Sequence, residues 1–377
     1  RGLSPAVRKK TPQPCDAESL RHWKEKGVES VVLDARLQFM EAEGIARYVR
    51  PILDERTERV FSQMLPTQAS GRWSTTNPPR VNFPKHSPER CPRCVRRAEE
   101  GLPKEPWCPR AVRGIVVPDE GSWWLHYDMN AIEARINAAL SGDLEDLQWF
   151  DAQADVHTLT CCRGMGWEFP PIVTKKLHTD PSCEPWRTLH AWGGEDDRRR
   201  HVFKTIRYAL QYALDERGAL QSNELYKMGL KRNDILDFGR RYLASKPQMV
   251  ARKQRAWDDA LRTGVAYTVF GRRRRLYGDP KDRMKEAWSH KVSGTVSDMV
   301  NDTLIKIMTL YPQCHLVLNS HDGLEISFPQ DHDPQTVYES VRPLAERTWD
   351  IEGVAMTSPC TWEFVWPDGT VTHPPTS

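Results

Sequence analysis

Asp128-Met129-Asn130-Ala131-Ile132-Glu133-Ala134-Arg135, closing with Leu140-Ser141-Gly142-Asp143, is the stretch around which the chain is organised. Ahead of it runs Trp123-Trp124-Leu125, an apolar segment suited to a buried strand. Behind it Ile132, Ile136, Ala139 and Leu140 recur at helical spacing. The pattern predicts a strand that ends near Asp128 and a helix that begins just after it. A carboxylate at such a strand end stays solvated enough to hold a metal ion, and Glu133 lies on the helix near its start. The alternative for this stretch alone is an ordinary strand–turn–helix with Asp128 as a cap.

The same segment resembles motif A of the family A DNA polymerases, the class of bacterial DNA polymerase I, whose pattern is Asp-Tyr-Ser-Gln-Ile-Glu-Leu-Arg followed by Leu-Ser-Gly-Asp. Asp128, Ile132, Glu133, Arg135 and Leu140 to Asp143 match it, while Met129, Asn130 and Ala131 depart from it. Further matches follow in the family's order. Thr67-Gln68-Ala69-Ser70-Gly71-Arg72-Trp73-Ser74, with Asn82 beyond, resembles a stretch that lies along the primer–template minor groove; without the resemblance it is a polar loop. The match makes Arg72 and Asn82 duplex contacts. Asp155-Val156-His157-Thr158 resembles Asp-Ile-His-Thr, which places His157 near an incoming triphosphate.

Arg200, Lys204, Tyr208 and Tyr212 are each four residues apart. On a helix they share one face, two cations followed by two aromatic rings. That order suits a nucleotide lying along the helix, with the cations on the triphosphate, Tyr208 at the sugar and base, and Tyr212 on the template side. The alternative is a solvated basic helix whose tyrosines pack inward. The spacing resembles motif B, the fingers helix; Tyr208 stands for Phe, Ala213 for Gly and Arg207 for Asn.

Val269-Phe270-Gly271-Arg272-Arg273-Arg274-Arg275 resembles a Phe-Gly-Arg-Arg-Arg turn, and its arginines, Arg272 and Arg273 among them, either clamp DNA phosphates or form a solvated loop. Gly294-Thr295 and Asp298 match the helix before motif C, with Ser293 where a minor-groove Gln is usual, so a contact to the primer terminus is lost or remade. His321-Asp322 sits between apolar runs, as at the turn of a hairpin. It resembles motif C, His-Asp-Glu, with Gly323 in place of the accessory Glu and His321 as a DNA contact.

The resemblance implies an α+β right-hand polymerase with an antiparallel palm sheet, helical fingers and a partial helical thumb. Expected boundaries are a thumb base over 1–60, the first part of the palm over 61–150, fingers over 151–288 and the second part of the palm over 289–377. It also implies a DNA polymerase acting on primer–template DNA and dNTPs. Asp128 and Asp322, with the Met129 carbonyl, would hold two Mg²⁺ ions ~4 Å apart, and Arg200 and Lys204 would neutralise the triphosphate. Glu133, against Tyr208, would block a ribose 2′-hydroxyl. A single-subunit RNA polymerase, which lacks this Glu, and a non-catalytic DNA-binding relic are the competing readings.

An insertion over 85–110 departs from the family. Cys91-Pro92-Arg93-Cys94 with Cys108 and His86 has zinc-ligand spacing; the alternative is three free thiols in a surface loop. A second insertion, about 166–197, has irregular Cys and His spacing and reads as an ordinary loop.

The 377 residues suffice for a large core and several subdomains. A net charge of +3, from 54 basic and 51 acidic side chains, excludes a bulk nucleic-acid condenser, so any DNA must meet local basic patches. No apolar run reaches the length of a membrane span, and no secretory signal is visible. Nine cysteines without a disulfide framework fit a reducing, intracellular compartment, cytoplasmic or nucleoid-associated, and a viral origin is compatible with it. An initial Arg in place of Met marks a fragment or processed product, with an upstream exonuclease, helicase region or accessory replication proteins as expected companions.

Overall fold

The computed structural model describes residues 116–152 and 231–375 continuously. It also describes residues 62–66, 68, 70–76, 80, 156, 159–160, 163, 207–212 and 215–221, and positions 31, 32, 35, 36, 39 and 43. Two compact units emerge, one of residues 1–65, 74–121 and 365–371, the other of 66–73, 122–364 and 372–377.

In the first unit, β1 (Gln63–Leu65) pairs antiparallel with β2 (Ser74–Thr76), Met64 opposite Thr75. The described positions between 31 and 43 are helical. The turn at 366–370 is closed by Trp366 N–H donating to Thr370 O at 2.9 Å.

The second unit is built on β3 (Ser122–Met129), which pairs antiparallel with β7 (Gly323–Pro329) along its whole length, from Ser122 opposite Pro329 to Asp128 opposite Gly323. Between them in the chain come helices α1 (Ile132–Ser141), α2 (Leu144–Asp151), α3 (Arg232–Ala244) and α4 (Pro247–Thr263). The short hairpin β4 (Val265–Tyr267) and β5 (Arg273–Arg275), the long helix α5 (Pro280–Leu310) and β6 (His315–Asn319) follow. Beyond β7 lie α6 (Pro334–Ala345), the hairpin β8 (Thr348–Ile351) and β9 (Val354–Thr357), and β10 (Cys360–Val365). In the sheet, β10, β3, β7 and β6 lie side by side in that order.

Strand alternation gives this sheet two faces of different chemistry. One carries Trp123, Leu125 and Tyr127 of β3 with Leu324, Ile326 and Phe328 of β7, all buried. Trp123 stacks on Phe328 with centroids 5.1 Å apart, Tyr127 leans on Trp362, and Tyr338 of α6 meets Trp362 edge-on. The indole N–H of Trp123 donates to His332 O, that of Trp362 to Glu346 and that of Trp349 to Ser358. At these three tryptophans a large apolar ring packs with its single donor satisfied in place. The opposite face carries His126 and Asp128 with Gly323 and Glu325.

Helix α5 starts at Asp279, whose carboxylate accepts from Asp282 N–H at 3.0 Å, with Pro280 in the first turn. Buried residues lie all around it, and it packs against α1 and α4. The expected fingers–palm boundary at 288/289 falls inside this continuous helix.

Candidate active site

Asp128 is the penultimate residue of β3, and α1 begins three residues after the strand ends. Ala131 is the residue at the helix start, in the left-handed region at φ 52°, and no side chain caps it. Asp128 is therefore not a helix cap. Asp322 lies in the turn joining β6 to β7, two elements far along the chain, and the strand register sets that turn beside Asp128. Met129 N–H donates to Asp322 O at 2.8 Å, which locks the two acidic turns together. Inside the second turn Ser320 N–H donates to Gly323 O, and His321 takes φ 75°. A left-handed non-glycine residue thus directly precedes Asp322, and another lies three residues beyond Asp128, a conformation costing on the order of 1–3 kcal/mol each.

Gly323 makes this approach feasible. A Cβ there would sit 2.0 Å from Tyr127 O and 3.0 Å from Asp128 Cα. On the same face one strand period further on, the half-buried His126 Nδ1 and the buried Glu325 Oε1 are 3.6 Å apart.

Glu133, in the first turn of α1, is surrounded by donors. Arg72 pairs with its Oε1, the Ser293 hydroxyl of α5 donates to Oε1 at 3.0 Å, and the Tyr212 hydroxyl donates to Oε2 at 3.0 Å. Burial pushes the Tyr212 phenol up to about 12, opposed by its contact with Ser293. The hydroxyl that bonds Glu133 in this structure thus belongs to Tyr212, one turn beyond Tyr208, which is half-buried. Arg72 and Tyr212, expected at the duplex and the template, here converge on the same carboxylate.

The helix segment 207–212 is anchored by charge. Arg207, fully buried, donates to Asp146 of α2 at 2.6 Å. Lys246 and Arg163 reach the same carboxylate at 2.8 and 2.9 Å. Burial alone would raise the Asp146 carboxyl, yet Arg207, Lys246 and Arg163 hold it well below the usual carboxylate range. Lys253 of α4 donates to Leu210 O at 3.1 Å; burial lowers its ammonium to about 8. Neither partnership has a local signal in the sequence.

In the arginine run, period-two alternation divides the roles. Arg272 turns inward, donating to Asp298 at 2.6 Å, Ser70 O at 2.8 Å and Gly294 O at 2.9 Å. Arg274 pairs with Glu286 at 2.8 Å. Arg273 and Arg275 are exposed. Arg200, Lys204, His157, Asn82 and the His86, Cys91, Cys94 and Cys108 set lie outside the described residues. Among the described residues no group of three or more His, Cys, Asp or Glu side chains is placed to hold a metal ion, and no helix is long and apolar enough to cross a membrane.

No family model matches the chain. It is 25% identical over 338 residues to the thermostable DNA polymerase I of Thermus filiformis, covering 83% of this chain and 34% of that protein. It is 24% identical over 335 residues to the thermostable DNA polymerase I of Thermus aquaticus, with the same coverage, and 24% identical over 293 residues to DNA polymerase I of Chloroflexus aurantiacus, covering 74% and 26%. The chain spans about a third of the length of the Thermus relatives and about a quarter of the Chloroflexus one. Its fold matches the POL domain of Pol1 from M. smegmatis, solved in complex with DNA primer-template and dNTP, with a TM-score of 0.71 at 19% identity, over 96% of this chain and 57% of that one. The likeness first carried by Asp128–Asp143 thus extends over most of the chain, which is similar in sequence to the bacterial DNA polymerase I proteins and has the α+β fold of their polymerase domain.

Proposed function

We propose that the chain is a template-directed DNA polymerase that adds dNTPs to a primer 3′-hydroxyl by two-metal phosphoryl transfer. The observation that carries this is that Asp128, at the end of β3, and Asp322, in the turn before β7, are remote in sequence yet adjoin through the strand register and the Met129–Asp322 backbone bond. The donor set suits Mg²⁺, a hard ion that is usually held by one or two carboxylates, retained waters and substrate phosphates rather than by an all-protein cage. Asp128, Asp322 and the Met129 carbonyl would hold it. Bound there, the ions would activate the primer hydroxyl and stabilise the charge on the leaving pyrophosphate.

The other residues then divide the remaining work. Arg200 and Lys204 neutralise the triphosphate, and His157 and Tyr208 complete its pocket. Glu133 stands under the sugar, which favours DNA over RNA synthesis. Arg273 and Arg275, exposed on the β4–β5 hairpin, are free to meet DNA phosphates.

Primer extension with Mg²⁺ and dNTPs is the direct test. Asp128→Ala and Asp322→Ala should each lower extension at least about a thousandfold while primer–template binding persists. Extension by either variant near the wild-type rate would overturn the two-metal assignment. A wild-type chain that binds DNA and extends nothing would favour the non-catalytic relic.

A further inference from the structure

Ser293 enters the chain as a departure, a short hydroxyl where the resembling family carries a long amide. It is 5% exposed, and its hydroxyl donates to Glu133 Oε1 at 3.0 Å while lying 3.4 Å from the Tyr212 hydroxyl. We propose that Ser293 is a positioning residue for sugar selection: with Arg72 it fixes the Glu133 carboxylate from a frame built on α5, so that the place of this carboxylate does not depend on the helix bearing Tyr208 and Tyr212. This rests on the polymerase activity proposed above.

The frame is visible bond by bond. The segment 66–73 that carries Arg72 is tied to α5 twice. Trp73 Nε1 donates to Asn301 Oδ1 at 3.1 Å, and Arg272 joins Ser70 O to both Gly294 O and Asp298. Ser293 lies on α5 itself, next to Gly294. Two of the donors on Glu133 therefore share one support and meet on one oxygen, Oε1. The third, Tyr212, comes from the 207–212 helix and takes the other oxygen, Oε2. If that helix shifts when a nucleotide enters, Oε1 keeps its two donors and the carboxylate keeps its place.

Removing the Ser293 hydroxyl leaves Arg72 to hold Oε1 alone and lets the side chain swing. Hydrogen bonds to a charged group are strong enough that their loss should lower dNTP-over-rNTP selectivity on the order of tenfold.

The experiment compares kcat/KM for dNTP and rNTP on one primer–template for wild type, Ser293→Ala, Ser293→Thr, Glu133→Ala and the Ser293→Ala/Glu133→Ala double variant. Ser293→Cys, nearly isosteric and a weak donor, stands in should Ser293→Ala fold poorly by thermal melting. Expected are a roughly tenfold fall in the ratio for Ser293→Ala or Ser293→Cys, its restoration by Ser293→Thr, and no further fall when Ser293→Ala is added to Glu133→Ala. An unchanged ratio in folded Ser293→Ala or Ser293→Cys, or additive losses in the double variant, would overturn it. A wild type that extends no primer would remove the polymerase activity itself, and this role for Ser293 with it.

Discussion

The motif C pattern that His321-Asp322 resembles carries a carboxylate where this chain has Gly323, so restoring one looks like an improvement. The geometry predicts the opposite. Any side chain at 323 begins with a Cβ placed 2.0 Å from Tyr127 O and 3.0 Å from Asp128 Cα. Contacts under 3.0 Å are essentially never made by a Cβ, so β7 must part from β3 by about 1 Å at the point where the two acidic turns are joined. Overpacking of this kind costs about 1–3 kcal/mol. A displacement of about 1 Å in a reacting constellation costs on the order of a hundredfold in rate. Gly323→Ala should therefore lower single-turnover primer extension about a hundredfold. At ~2–4 °C per kcal/mol, its melting temperature should fall by roughly 2–12 °C. Gly323→Glu should do no better than Gly323→Ala, because it adds a like charge beside Asp128 to the same clash. Wild-type extension by Gly323→Ala with an unchanged melting temperature would refute the close approach of the strands. A Gly323→Glu variant faster than wild type would refute it more directly.

Two further perturbations probe the anchoring of the 207–212 helix. Asp146→Asn leaves Arg207 and Lys246 buried beside a neutral amide and should cost about 3–5 kcal/mol in denaturant unfolding, whereas Asp302→Asn, at a half-exposed ion pair, should cost under about 1 kcal/mol. Equal losses at the two sites would be the wrong outcome. Because the folded Asp146 carboxyl is held below its ordinary value of 3.8, its contribution is complete above that value and is lost as pH falls through the folded one, so wild type and Asp146→Asn should converge only in strong acid. Lys253 runs the other way. Its folded value of about 8 lies below the ordinary 10.5, so the unfolded chain binds more protons between them and stability should rise with pH across that window. Lys253→Met should flatten that rise between about pH 8 and 9.5, below the range where the tyrosines titrate; an unaltered pH profile would place the ammonium in water.

The elements that position Asp128 and Asp322 were legible because their signals are local. An apolar run ending at an acid, helical spacing behind it, and an acid between two apolar runs predict β3, α1 and the β6–β7 hairpin without tertiary information. The start of α5 has a local signal too, Asp279 followed by Pro280, and that signal argues against an expected fingers–palm boundary at 288/289. The β4–β5 hairpin could have been revealed by Gly264 just before it and Gly271 in its turn, both at positive φ.

The ring of donors on Glu133 had no such signal. Arg72, Tyr212 and Ser293 come from three separate parts of the chain, and only the packed fold makes them neighbours. Arg207 appeared as a mere departure from Asn until its partner Asp146, on a different helix, came into view. Gly323 carries the same lesson into chemistry. Read along the chain, it is a lost carboxylate. Read across the strands, it is the residue whose missing side chain lets Tyr127 and Asp128 of β3 lie against β7. Whether a departure from a family pattern weakens a site or builds it is decided by what stands opposite it, so Gly323 and Ser293 both take their meaning from residues more than a hundred positions away.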